Sequence, residues 1–199
     1  MKILNIAAGK IKPLEIPNET PFQKRYPKRI INVDTTYYQY TSPSKIEIEI
    51  ETMLRLDQTK EWYCNEDAFK FMENTKTMFD RVVIYRFLEH VSFTQVNYFL
   101  YLTSTVLKED GLLDVIIPNY RILADMLLKE KIDKNFEAHN ILLTTELLNE
   151  PSCPHASIWT PDRVKYFVEL EGRYKVDSIM TPYKFDGRDI YIRFLARRI

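Results

Sequence analysis

The residues of this chain best placed to do chemistry sit at the ends of short apolar runs. The first nine residues, Met1-Lys2-Ile3-Leu4-Asn5-Ile6-Ala7-Ala8-Gly9, are strand formers that stop at a small-small-glycine corner. An open α/β sheet begins this way when its first strand must bring the backbone close to a ligand. The next such run, Arg29–Val33, ends in Asp34, a carboxylate positioned to accept the two hydroxyls of a ribose. A third, Glu61–Cys64, is followed by Asn65-Glu66-Asp67-Ala68. Here an acceptor side chain stands at a strand end beside the small Ala68, whose N–H a ligand can approach closely. Asn65, Glu66 and Asp67 all compete for the acceptor role.

Further along, Tyr85 and Arg86 end the clearest buried strand, Phe79–Tyr85. They are candidates to line the same pocket, although core packing explains Tyr85 nearly as well. His155 falls in the loop Pro151-Ser152-Cys153-Pro154-His155, on the open side of the sheet where an acceptor would arrive. A solvated loop histidine is the plainer reading of it. Glu89 and His90 precede a helix and read as structural. No nucleophile pairs with either histidine, which leaves a cleavage enzyme a distant reading.

The elements that must hold these residues alternate between strand and helix. After Gly9, Pro13, Pro17, Pro21 and Pro27 break any long helix, because proline lacks the N–H donor and clashes with the preceding turn. The aromatic loop Thr35–Tyr40 follows the second strand; Ile46–Glu51 alternates with period two as a strand does, but its continuation to Leu56 and the need for a crossover favour a helix. Ser92 is read as the cap of a helix with Val96, Phe99, Leu100, Thr103, Val106 and Leu107 on its apolar face. Lys108–Gly111 is read as a turn before a strand over Leu112–Ile117. Residues Tyr120–Lys131 and Asn135–Leu148 have helical patterns, and together with the loop up to residue 158 they read as a helical cap over the strand ends. Thr160 and Pro161 supply an N-cap and a first helical residue, and Gly172 closes that helix. Strands over Tyr174–Met180 and Ile190–Ala196, joined around Gly187, end the chain. The expected architecture is one domain over residues 1–199: a three-layer α/β sandwich with a mostly parallel seven-stranded sheet and an antiparallel last strand.

Composition narrows the function. The chain has 199 residues with 28 Lys+Arg and 28 Asp+Glu, so its formal net charge is zero. Gripping a long nucleic acid through its phosphates calls for a basic excess that is missing here. The run Ile3–Ala8 is too short to cross a membrane. The two cysteines form no CxxC pair and the three histidines have no zinc-like spacing, so no metal is expected and a reducing cytoplasm is the simplest setting.

Taken in order, these stretches resemble the class I S-adenosylmethionine-dependent methyltransferases, in the branch called methyltransferase type 11. The resemblance rests on Leu4-Asn5-Ile6-Ala7-Ala8-Gly9, Asp34, Asp67-Ala68, Phe79-Asp80 with Leu88-Glu89-His90, Leu107-Lys108-Glu109-Asp110-Gly111 and His155-Ala156-Ser157-Ile158-Trp159-Thr160-Pro161. It implies S-adenosylmethionine as cofactor, held by Asn5, Ala7, Gly9, Asp34, Asp67, Ala68, Tyr85 and Arg86. It also implies a small-molecule or sugar-like (glycan) acceptor, with His155 as the catalytic candidate. The sequence departs from the family where Asn5 replaces an acid and where Ala7 and Ile11 replace glycines. Those departures fit a nicotinamide dinucleotide poorly, since its pyrophosphate needs the glycine triplet. They also support a rival reading, a methyltransferase-like binding or scaffold protein without catalysis.

Overall fold

Runs such as Val82-Val83-Ile84 bury both faces only inside a sheet, and the described residues provide seven strands to build one. The computed structural model describes residues 1–6, 29–33, 60–64, 66–129, 155–185 and 187–199. Its strands are β1 (Lys2–Ile6), β2 (Arg29–Val33), β3 (Lys60–Cys64), β4 (Phe79–Tyr85), β5 (Leu107–Pro118), β6 (Tyr174–Phe185) and β7 (Arg188–Arg198). They form one sheet in the order β3-β2-β1-β4-β5-β7-β6. β1 to β5 run parallel to one another, and β7 runs antiparallel to both β5 and β6.

The described helices are α1 (Ala68–Asn74), α2 (Phe93–Val106), α3 (Tyr120–Leu128) and α4 (Pro161–Glu169), with a 3-10 turn over Leu88–His90. Side-chain alternation along the strands divides the core in two. Leu4, Ile6, Val82, Ile84, Val115 and Phe194 pack on one face with Phe71, Phe99, Trp159 and Val164 from α1, α2, α4 and the segment before α4. On the opposite face Ile116, Ile190 and Tyr191 pack with Tyr120 and Leu123 of α3. Each fully buried aromatic such as Phe99 contributes about 2–3 kcal/mol by leaving water.

The second face also holds charge. Asp114 of β5 is fully buried and accepts from Arg81 of β4, from Arg193 of β7 and, at 3.0 Å, from the Tyr85 hydroxyl. The Arg193 guanidinium lies 5.5 Å from the centre of the Tyr183 ring.

Several boundaries differ from those read in the sequence. Lys108–Gly111 belongs to β5, where the pairing with β4 shifts between Phe79 and Arg81. Asp110 there takes a positive φ of 59°. A Cβ on Gly111 would lie 2.7 Å from the Lys108 carbonyl oxygen, so only glycine fits. The closing hairpin extends on both sides of Gly187, through the pairs Tyr183–Tyr191 and Phe185–Arg188, because strand-forming residues continue almost to the turn. α3 stops at Leu128. Ser92 does precede α2, but its hydroxyl bonds the Thr94 and Gln95 side chains rather than a backbone N–H. The segments 7–28, 34–59 and 130–154 lie outside the described residues. They contain the Gly9 corner, the proline-rich stretch, the aromatic loop, the Ile46–Leu56 helix and the second cap helix.

Candidate functional site

Three stretches far apart in sequence meet beyond the carboxyl ends of β4 and β5. The first leaves β4 through Arg86, which has a positive φ of 57° and donates its N–H to the Ile116 carbonyl at 2.8 Å. A side chain in that conformation costs energy, and the turn it makes delivers the 3-10 residues Leu88–His90 to the sheet edge. Glu89 is 1% exposed, and its Oε2 has no hydrogen-bond partner among the described residues. Burial pushes its carboxyl up to about 8, against the pull of its own backbone N–H and of Arg86.

The second stretch is His155–Thr160, clipped onto that turn by its backbone. The N–H groups of Ala156 and Ser157 both donate to the Glu89 carbonyl, at 2.7 and 3.0 Å. The buried Ser157 hydroxyl donates to the Leu88 carbonyl at 3.1 Å and accepts from Trp159 Nε1 at 2.8 Å. Trp159 is fully buried, with its ring centre 5.6 Å from that of Phe93 and 5.9 Å from that of Phe167. Thr160 caps α4 through its side chain, and Pro161 follows as the first helical residue.

The third stretch is the start of α3. The Asn119 side-chain oxygen accepts from Arg121 N–H at 3.0 Å, while its amide donates to Thr181 Oγ1 at 2.7 Å. Tyr120 N–H donates to the Trp159 carbonyl at 3.0 Å, and its hydroxyl is hydrogen-bonded to Nδ1 of His155. Burial, with Glu89 adding to it, holds the Tyr120 phenol well above its ordinary value. The hydroxyl therefore keeps its proton at neutral pH. The His155 and His90 rings meet edge-on with centres 4.9 Å apart. One ligating atom each from Glu89, His90 and His155 lies within 4.8 Å of the others.

This cluster joins His155 to Glu89 and His90, two residues that read as structural in the sequence. Histidine spacing along the chain gave no sign of it, because the ligating atoms come from separate turns. The one available signal was the shared appearance of Leu88-Glu89-His90 and His155–Pro161 in the motif order.

The other described sequence candidates lie near the ends of β1, β3 and β4. Asn5 is buried, in register with Val83. Asp67 is exposed and caps α1, its Oδ1 accepting from Phe69 and Lys70 N–H at 3.0 and 3.2 Å. Ala68 is the first residue of that helix and is buried. The Tyr85 ring packs edge-on against Phe185, and its hydroxyl is taken by Asp114, so the core role weighed for it accounts for its contacts. Ala7, Gly9 and Asp34 lie outside the described residues.

With this geometry in place, the chain has the fold of the class I S-adenosylmethionine-dependent methyltransferases. It is similar to a SAM-dependent methyltransferase from Methanosarcina mazei, at 16% identity and a TM-score of 0.55 over 100% of this chain and 92% of that one. It is similar to the 1,6-didemethyltoxoflavin-N1-methyltransferase of Burkholderia thailandensis, solved with 1,6-didemethyltoxoflavin and S-adenosylhomocysteine, at 10% identity and a TM-score of 0.57 over 99% and 70% of the two chains. The N-methyltransferase NodS of Bradyrhizobium japonicum WM9, in complex with S-adenosylhomocysteine, matches at 13% identity and a TM-score of 0.51 over 99% and 77%. At these identities the fold is what is shared. No protein-family model matches the chain, and no curated protein matches it. No helix among the described residues is long and apolar enough to cross a membrane.

Proposed function

We propose that the chain is an S-adenosylmethionine-dependent methyltransferase for a small-molecule or sugar-like acceptor. The observation that carries this reading is the strand order. β1 and β4 are adjacent, with β2 and β3 to one side and β5 to the other, so successive connections leave in opposite directions between them. Ligands of open α/β sheets bind at such a switch point, outside the carboxyl ends of the strands. In sequence, Gly9 follows β1, Asp34 follows β2, Asp67 and Ala68 follow β3, and Arg86 follows β4, with Asn5 and Tyr85 near the ends of their own strands. That arrangement fits a nucleoside: Asp34 for the ribose, Asp67 and Ala68 for the base, and Asn5, Ala7, Gly9, Tyr85 and Arg86 for the remainder.

When bound, S-adenosylmethionine supplies an already activated methyl group. The protein's part is orientation and exclusion of water. The Ser157 and Trp159 contacts fix the segment carrying His155 beside the turn after β4, and in this reading His155 is the catalytic candidate facing the acceptor. Net charge of zero disfavours long nucleic acid as the acceptor. The toxoflavin N1-methyltransferase was solved with 1,6-didemethyltoxoflavin bound, and DhpI, another structure of this fold, as a complex with SAM and HEP; both support an acceptor of small size. The reading includes a single domain of three layers, with a helical cap near residues 120–158, working in the cytoplasm.

Calorimetry with S-adenosylhomocysteine tests it. Saturable one-to-one binding supports an enzyme, and none at millimolar concentration favours the scaffold reading.

A further inference from the structure

We propose that Glu89, His90 and His155 form a binding site for one divalent transition-metal ion, with zinc as the reference ion. Three observations carry it. The ligating atoms lie within 4.8 Å of one another. Around a zinc ion with bonds near 2.1 Å they would stand about 3.4 Å apart, so the side chains need to close by up to about 1.4 Å. The Glu89 carboxylate is 1% exposed, and its Oε2 has no hydrogen-bond partner among the described residues. A buried carboxylate oxygen left this way is costly unless something positive meets it. Finally, the Tyr120 hydroxyl sits on Nδ1 of His155. A ligating histidine generally has such an outer partner on its second nitrogen, which fixes the ring and its tautomer. Ligation through Nε2 requires the tautomer in which Nδ1–H donates to the tyrosine oxygen and the lone pair sits on Nε2.

The donor set decides the class of ion. Two imidazoles and one carboxylate suit zinc, cobalt, nickel or iron(II), whereas magnesium and calcium prefer oxygen ligands throughout. Three protein ligands leave a coordination position open, as catalytic zinc sites do. The site lies beyond the carboxyl end of β4, so the open position would take an oxygen of the acceptor. A hydroxyl held there becomes more acidic and gives up its proton to solvent. Only this use toward an acceptor rests on the methyltransferase reading; the ion site stands without it.

The experiment uses the full chain stripped with EDTA. Calorimetric titration with zinc chloride is expected to show one saturable site. Cobalt(II) is expected to give visible d–d absorption without a sulfur charge-transfer band. Glu89→Gln and His155→Ala should each weaken zinc by on the order of 100-fold, and Tyr120→Phe by about 10-fold. Each variant is first checked for a native far-UV spectrum, and His90→Gln serves where one of them fails to fold. Excess magnesium should leave zinc binding unchanged. Absence of saturable binding, undiminished binding in folded Glu89 and His155 variants, a sulfur charge-transfer band, or displacement by magnesium would each overturn the site. Binding of S-adenosylhomocysteine is measured separately, so loss of the methyltransferase reading and loss of the ion site are told apart.

Discussion

Arg193 holds both carboxylate oxygens of Asp114, with Nε and Nη2 each donating at 3.0 Å across the antiparallel β5–β7 pair. Arg81 approaches the same carboxylate from β4, so one buried acid stands between two buried cations. Asp114→Ala is expected to leave both guanidinium groups without their counter-charge. Breaking a buried pair in this way costs about 3–5 kcal/mol. For a chain of this size that lowers the melting temperature by about 10 °C. A melt within two or three degrees of the unmodified protein would show that the network is stabilised from elsewhere.

Asp34→Ala tests the nucleoside site. Loss of a charged, two-pronged hydrogen bond to a ribose is expected to weaken S-adenosylhomocysteine by about 2–3 kcal/mol, or roughly 30- to 150-fold, with the far-UV spectrum unchanged. Equal affinity in calorimetry would remove Asp34 from the site.

Asp80 gives the chain an acid-sensitive contact at the start of β4. Burial raises its carboxyl, but the hydrogen bond from Lys108 at 2.6 Å and the Lys2 backbone N–H at 2.6 Å outweigh it, and the net shift is downward. A carboxyl whose folded value lies below its unfolded one contributes stability above the unfolded value, near 4. That contribution is lost as the pH falls through the folded value. In paired melts, Asp80→Asn is expected to be less stable than the unmodified chain at neutral pH, with the gap closing below about pH 4. A gap that widens on acidification would reverse the sign of this contact.

Cys64 is 1% exposed at the end of β3. Burial, with Glu66 adding to it, pushes its thiol up to about 11. Since the thiolate is the reactive form, a Cys153→Ser chain should not react with a thiol reagent at pH 8 until denaturant is added. Rapid labelling of the folded protein would place Cys64 at an accessible surface.

How much of this was legible in sequence depended on whether the cause was local. β4 could be read from Val82-Val83-Ile84, and the start of α4 from Thr160-Pro161, because each signal acts within a few residues. The parallel β1–β4 core and antiparallel β7 followed from the order of such signals. The cluster at Glu89 did not, since it depends on Ser157 meeting the Glu89 carbonyl 68 residues away. The charge on the second face was equally hidden. Asp114 looks like an interruption in an apolar strand until Arg193, 79 residues later, lies beside it. The strand character of Lys108–Gly111 was masked by turn residues, because a bulge and a turn draw on the same chemistry of glycine and positive φ.

The position of β7 has a consequence for how the molecule can come apart. Among the described residues β6 has one neighbour in the sheet, and that neighbour is β7. Every sheet hydrogen bond tying β6 to the rest of the protein therefore runs through a strand that follows it in the chain. Parting β5 from β7 would release both strands as one flap, still zipped to each other around Gly187. Opening between β5 and β7 would thus free two strands in a single event. Amide exchange should report one common opening free energy for β7 and for the paired residues of β6.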